Sequence, residues 1–450
     1  MNEERIAAPK ILIFSLPSLG AFMASTLVTF YLLKFATDVL LIAPAIVGWI
    51  LLVARFWDAV TDPAVGWLSD RTRTSLGRRR PWFLGSALPL AGSVIMLWSP
   101  PADLSPNWLA AWLAVAVLLF YTAFTAFRVP HLAMGAELSR GYHDRSRVFG
   151  VMQVVECLGM FAAAGSVVLL EQADDPRAVA RQVAVVIAVL ATVLILIAVW
   201  QTRERADFQG RGGASPRRTF TDVLTNPHAR ILIGVFFLEQ LGFGALVALI
   251  PYLSDYVLLT QGSTGIYLFG AIGATIVSIP LWLRLAKRVG KREAWMASIA
   301  IKAALLALVW LAGPGDFWLM LLVSSAVGLM NGCGFIIGPS LKADVVDWDE
   351  ARTGERKEGA YFAAWNFVQK AAGGAAVWVV GLALGLTGFV PNAQQGDAAL
   401  LAIIGLASVL PIVCYLLALV LMWRFTLDEA AHAQARAQAA ARDADSAAVL

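Results

Sequence analysis

Twelve long apolar runs separated by polar connections constrain this chain more than any other feature. They fall near residues 12–38, 44–68, 82–100, 108–134, 148–170, 179–200, 229–257, 264–284, 294–312, 317–340, 360–388 and 399–424. Each suffices to cross a hydrocarbon layer of about 30 Å as a helix. None shows the two-residue alternation of a barrel strand. A backbone in lipid must satisfy its own hydrogen bonds, so continuous runs of this length read as helices. Composition agrees, with 59% of the 450 residues hydrophobic and 15% charged. Soluble domains run about 45–50% and about 25%, and twelve spans alone consume roughly 240 apolar positions. An ordinary soluble enzyme, a nucleic-acid binder and a disordered scaffold are excluded. The expected class is an all-α membrane protein with twelve transmembrane helices.

Basic residues set the direction of the spans. They crowd the connections after even-numbered spans: Arg71, Arg73, Arg78, Arg79 and Arg80; Arg140, Arg145 and Arg147; Arg203, Arg205, Arg211, Arg217 and Arg218; Lys287, Arg288, Lys291 and Arg292. Connections after odd-numbered spans hold few, with Arg177 and Arg181 the exceptions. The positive-inside rule then predicts a multi-pass plasma (inner) membrane protein with both termini cytoplasmic. The same loops account for the net charge of +4 without a polyanionic partner. The Gly-rich polar stretch 202–230 reads as a cytoplasmic linker between a six-helix bundle over 1–201 and another over 231–425, with a tail over 426–450. A weak repeat supports two related halves. Trp67-Leu68 with Gly77-Arg78-Arg79 closes span 2, and Trp282-Leu283 with Gly290-Lys291-Arg292 closes span 8.

Charges at membrane depth cost at least ~2.5–3.5 kcal/mol on insertion scales and ordinarily face a cavity and partner one another. In span 2, Asp58 and Asp62 stand four residues apart and share one helical face, with Thr61 beside them and Arg55 a turn earlier. Two carboxylates so placed repel unless a proton, a bound cation or a basic side chain lies between them. Pro63 frees a backbone carbonyl that could serve as an oxygen ligand. Span 4 carries Thr125, Arg128 and His131, span 5 Gln153 and Glu156, span 7 Glu239, and span 11 Trp365, Asn366 and Lys370. Among the ionised groups Arg55, Asp58, Asp62, Arg128, Glu156, Glu239 and Lys370, negative charge exceeds positive by one, which a monovalent cation would balance. An isolated arginine such as Arg55 reads as helix bracing. Lys34 and Lys302, towards span ends, read as snorkelling to the interface.

Chemistry that would signal an enzyme is missing from the motifs. No GxxxxGK[ST], HExxH or GxSxG segment occurs, so neither ATP hydrolysis nor those hydrolase chemistries is expected. Three scattered cysteines give neither a disulfide framework nor a zinc site. No cofactor is expected. Gly328-x-x-x-Gly332 reads as close packing within a bundle, and the protein as a monomer in the bilayer.

Three blocks carry a family likeness: RFWDAVTDPAVGWLSDRTRTSLGRRRPW (Arg55 to Trp82), VPHLAMGAELS with YHDRSR (Val129 to Ser139, Tyr142 to Arg147), and GPSLKADVVDWDEARTGERKEGAYFAAWNFVQK (Gly338 to Lys370). Together they resemble the glycoside–pentoside–hexuronide:cation symporters, the melibiose-permease-like branch of the major facilitator superfamily. The resemblance implies the major facilitator fold, two six-helix bundles that rock about a cavity shared by cation and small-molecule substrate. It puts the coupling cation, Na+ or H+, at Asp58, Thr61, Asp62 and Thr125, with any Na+ between Asp58 and Asp62. Coupling falls to Lys370 with Asn366.

The family's sugar site is not retained. Its span 4 acid aligns with Arg128, its span 1 acid with Phe22 or Ser25, and its span 5 arginine with Gln153. Arginine suits a carboxylate or phosphate better than neutral hydroxyls. The expected substrate is therefore an anionic, hexuronide-type glycoside, with Arg128, His131, Gln153, Glu156, Glu239 and Trp365 as candidate contacts. A lysolipid or other amphiphile is the alternative, as is a non-transporting receptor that keeps the fold. Asp70, Arg71, Arg78, Arg79, Asp344 and Asp347 are expected to form inter-helix ion pairs closing a cytoplasmic gate.

Overall fold

Proline starts many of the helices, where its missing N–H costs nothing. In a computed structural model describing residues 6–138, 142–202, 204, 223–354 and 358–427, Pro44, Pro106, Pro176 and Pro227 each open a helix. The first six long helices are α1 (Ala8–Val39), α2 (Pro44–Arg71), α3 (Arg80–Trp98), α4 (Pro106–Glu137), α5 (Tyr142–Glu171) and α6 (Pro176–Gln201). The next six are α7 (Pro227–Val257), α8 (Thr264–Val289), α9 (Lys291–Leu311), α10 (Phe317–Thr353), α11 (Glu358–Leu386) and α12 (Asp397–Trp423). All twelve are long and apolar enough to span a membrane. The largest departure from the expected boundaries is α10, whose 37 residues run about 55 Å at 1.5 Å each. That outruns the hydrocarbon layer, so hydropathy could not mark its end, and Lys342, Asp344 and Asp347 lie on this helix rather than in a loop. Most of the expected linker, and the expected tail beyond residue 427, lie outside the described residues.

Packing divides the chain into two compact units. One comprises Met1–Ala214 with Gln261–Ile266 and Val377–Ala399; the other comprises Ser215–Thr260, Tyr267–Ala376 and Leu400–Leu450. In the first, α3 packs on α4 and α6, α1 on α5 and α6, and α2 on α4. In the second, Gly328 and Gly332 bring α10 close to α8. A Cβ at Gly332 would clash with Ser278 Oγ and stand 2.9 Å from the Thr275 carbonyl oxygen.

Each unit repeats the same local devices. The first helix of each half ends in a π-helical turn, Phe35–Val39 and Leu253–Val257, followed by a leucine in the left-handed region, Leu41 at φ 56° and Leu259 at φ 53°. The chain thereby turns without glycine, at a cost of roughly 1–2 kcal/mol. Gly77 and Gly290, both at positive φ, make the hairpins picked out as a sequence repeat. The next basic residues do the same work in each unit. Arg80 Nε donates to the Val199 carbonyl at the end of α6 (2.8 Å), and Arg292 Nη2 to the Trp423 carbonyl at the end of α12 (3.0 Å). Both place a cation on the negative end of a helix dipole.

Candidate functional site

The carboxylate pair of α2 meets α4 at a hydroxyl. Thr125 Oγ1 lies 2.8 Å from Asp58 Oδ1 and 3.0 Å from Asp62 Oδ1. A hydroxyl has one proton, so it cannot fully satisfy both carboxylates at once. Asp58 is 2% exposed and Asp62 is half-buried. The arrangement gathers several oxygens in a poorly solvated place, which suits a hard monovalent cation or a shared proton. Thr61 is less committed to the cluster, since its hydroxyl donates to the Asp58 backbone carbonyl (3.2 Å). Arg55 lies just above, donating from Nη2 to Thr29 (3.1 Å), its guanidinium 4.8 Å from the Tyr121 ring centroid.

Next to this pair, α1, α4 and α5 bring together Phe22, Arg128 and Glu156. Arg128 Nη1 donates to Glu156 Oε1 at 2.5 Å, and the guanidinium lies 4.6 Å from the Phe22 ring centroid. Two residues expected to meet the substrate independently therefore neutralise each other, though the guanidinium keeps further N–H donors. Gln153 does not join them; it is exposed, and its amide contacts Cys157 Sγ on its own helix. His131 lies apart from that pair, packed among aromatic rings. It is fully buried, Nε2 lies 2.8 Å from the Phe14 carbonyl oxygen, and Phe14, Phe83 and Phe127 enclose its ring.

In the second unit, Glu239 of α7 has both oxygens engaged. Oε1 pairs with Lys302 of α9, and Oε2 accepts from Trp295 Nε1 at 3.1 Å. Lys302 is 1% exposed, so it does not snorkel; it answers a buried carboxylate. Lys34 likewise is buried and pairs with Asp38 at 2.8 Å. Trp365 is buried against Tyr361, while Lys370 is half-buried and Asn366 exposed, a turn apart on α11. Adding Lys302 and Lys342 to the sequence-level charge count turns an excess of one negative charge into an excess of one positive. The overall tally consequently lends nothing to the cation, whose case rests on the local geometry at Asp58 and Asp62.

The expected gate residues form pairs within each unit. Arg79 reaches Asp70 (2.5 Å) and Glu137 (3.2 Å), and Arg78 reaches Glu137 (2.7 Å). Asp344 pairs with Lys291 (2.6 Å). Asp347, half-buried on α10, also takes part in an interaction. Arg71 departs from the expectation: its guanidinium lies 4.0 Å from the centroid of Trp67 on its own helix. Sequence reading missed Glu137 and Glu204. The Glu204 carboxylate accepts the backbone N–H groups of Arg78, Arg79 and Arg80 at 2.9, 2.7 and 2.8 Å, so the region after α6 holds the start of α3. Three successive N–H groups at a helix start form an anion-binding concavity. The signal was the GRRRP turn itself, whose acid partner lies 124 residues or more away.

Comparison with known proteins agrees with this fold. The nucleoside transporter NupG shares the fold at a TM-score of 0.67, covering 92% of this chain and 99% of its own, at 13% identity. An uncharacterized symporter of Synechocystis sp. is 25% identical, covering 98% of both chains. The isoprimeverose transporter of Lactiplantibacillus pentosus is 26% identical, covering 87% of this chain and 82% of its own. The sodium-dependent lysophosphatidylcholine symporter 1-A of Danio rerio is 27% identical, with 90% and 83% covered. The family described as MFS/sugar transport protein matches residues 13–429. The chain belongs to this family, in the glycoside–pentoside–hexuronide-like branch to which its motifs point, and is thus a multi-pass membrane transporter and not an enzyme.

Proposed function

We propose that this protein is a secondary active symporter that couples entry of Na+ or H+ to uptake of a glycoside-like solute by alternating access. The observation that carries the proposal is the Thr125 hydroxyl shared between two carboxylates, Asp58 and Asp62. Such a pair has no inexpensive structural purpose in an apolar helix. A cation or proton between the carboxylates relieves their repulsion, and its departure restores it, which gives occupancy a conformational consequence. Similar chains, among them symporters and an isoprimeverose transporter, support cation-coupled transport. Lys370 and Asn366 would report cation occupancy to the substrate, and the pairs around Asp70, Arg78, Arg79 and Asp344 would latch the cytoplasmic side. The basic loops support cytoplasmic termini. The two-bundle division at 202–230 belongs to the same proposal.

The Arg128–Glu156 pair offers donors and an acceptor side by side, which suits the hydroxyls of a sugar ring. Its internal neutralisation weakens Arg128 as an anchor for an acid, so an anionic, hexuronide-type solute needs a positive group elsewhere. The lysolipid reading keeps a place because a lysophosphatidylcholine symporter matches over 90% of the chain. Uptake into proteoliposomes, driven separately by a sodium gradient and by a pH gradient, tests the proposal across neutral glycosides, acidic glycosides and lysophosphatidylcholine. One gradient is expected to drive accumulation, and Asp62→Asn to abolish it. Accumulation indifferent to both gradients, or intact in Asp62→Asn, would overturn symport through this pair.

A further inference from the structure

Lys342 is a charge that the cation site and the Arg128–Glu156 pair leave unused. Its ammonium lies 3.9 Å from the ring centroid of Phe236 on α7 and 5.4 Å from that of Trp365 on α11. No carboxylate of the described residues comes within ion-pairing distance of it. Glu239 acts on it electrostatically, yet both Glu239 oxygens are committed to Lys302 and Trp295. Among the described residues, these contacts set two ammonium groups, Lys302 and Lys342, against one carboxylate, Glu239. This part of the second unit is also short of acceptors. Trp365 Nε1 and Tyr415 Oη are buried with no hydrogen-bond partner among the described residues, and these are rings on which Lys342 and Lys302 rest. A buried donor left unmet costs ~1–3 kcal/mol, so an incoming acceptor that met one of these donors would recover that cost.

We propose that Lys342, resting on the Trp365 ring whose indole N–H is left unmet, receives the anionic group of the transported solute, a carboxylate or a phosphate. The assignment rests on the transport reading and names the positive group that Arg128, occupied by Glu156, does not supply. A lysine that served only to brace two aromatic rings would contribute equally to neutral and acidic ligands. A lysine that receives the solute's charge distinguishes them.

The test is calorimetric titration of the purified full chain with 4-nitrophenyl β-D-glucuronide, glucose 6-phosphate and the uncharged 4-nitrophenyl β-D-glucoside. At least one acidic probe is expected to bind tenfold or more tightly than the glucoside, and which one separates carboxylate from phosphate recognition. Lys342→Met is expected to erase that preference, Lys342→Arg to keep it, and Trp365→Phe to reduce it severalfold. A parent protein without preference for either acidic probe overturns the assignment, as does a preference that persists in Lys342→Met. If Lys342→Met fails to fold, Trp365→Phe decides alone, and an unchanged preference overturns the assignment. Gradient-driven uptake of the glucoside by the same preparations keeps the two proposals apart. Driven uptake without acid preference defeats only the role of Lys342. Acid preference without driven uptake defeats only symport.

Discussion

Replacing Glu239 by glutamine should unsettle the second unit far more than one lost contact suggests. Lys302 is 1% exposed and Glu239 7%, so the ammonium left behind has no route to water. Removing one member of a buried ion pair costs ~3–5 kcal/mol, because the survivor's charge is uncompensated. The Tyr415 ring, 5.0 Å from Lys302 Nζ, returns only about 0.5–2 kcal/mol as a cation–π contact. Glutamine preserves shape and keeps an acceptor for Trp295, which isolates the effect of charge. At ~2–4 °C per kcal/mol for a body of this size, the midpoint of unfolding should fall on the order of 10 °C. The double variant Glu239→Gln/Lys302→Met removes the orphaned charge too and should regain most of the loss, since neutral replacements of buried pairs are often tolerated. Thermal unfolding in detergent, followed by tryptophan fluorescence, measures all four corners of the cycle. A single variant within about 2 °C of the parent, or a double variant no better than the single, would refute the reasoning.

Other substitutions probe the remaining features. Thr125→Val deletes the shared hydroxyl at constant shape and should raise the half-saturating cation concentration about tenfold, about 1.4 kcal/mol, while Thr125→Ser retains the parent value; cation titrations of uptake read this out. Glu204→Ala strips the acceptor from three N–H groups and should cost about 2–3 kcal/mol of stability, with Glu204→Gln intermediate, again by thermal unfolding. Gly332→Val forces a Cβ against Ser278 Oγ and, at 2.9 Å, the Thr275 carbonyl oxygen. A hydroxyl can rotate away but a backbone carbonyl cannot, so α8 and α10 must separate, and size-exclusion chromatography should show loss of monodisperse protein.

How much of this was legible in the sequence depended on how local the governing physics is. Span number follows from runs of apolar residues, and both hairpins from their Gly-basic motifs. The pairing of Asp58 with Asp62 follows from a spacing of four on one helix. The matching π-turns and left-handed Leu41 and Leu259 were hidden because leucine gives no sign of positive φ. Lys302 was misread because its position near a span end suggests snorkelling, whereas its partner Glu239 lies 63 residues away.

The linear chain alone determined that this protein crosses a membrane twelve times and carries an acidic pair within it, because hydrophobic length and helical spacing are properties of neighbours in sequence. Tertiary structure decided which charges cancel. It joined Arg128 to Glu156 and Lys302 to Glu239, and left Lys342 on aromatic faces. Ion pairing falls off over a few ångströms in space, and that distance between helices is written nowhere in the order of residues.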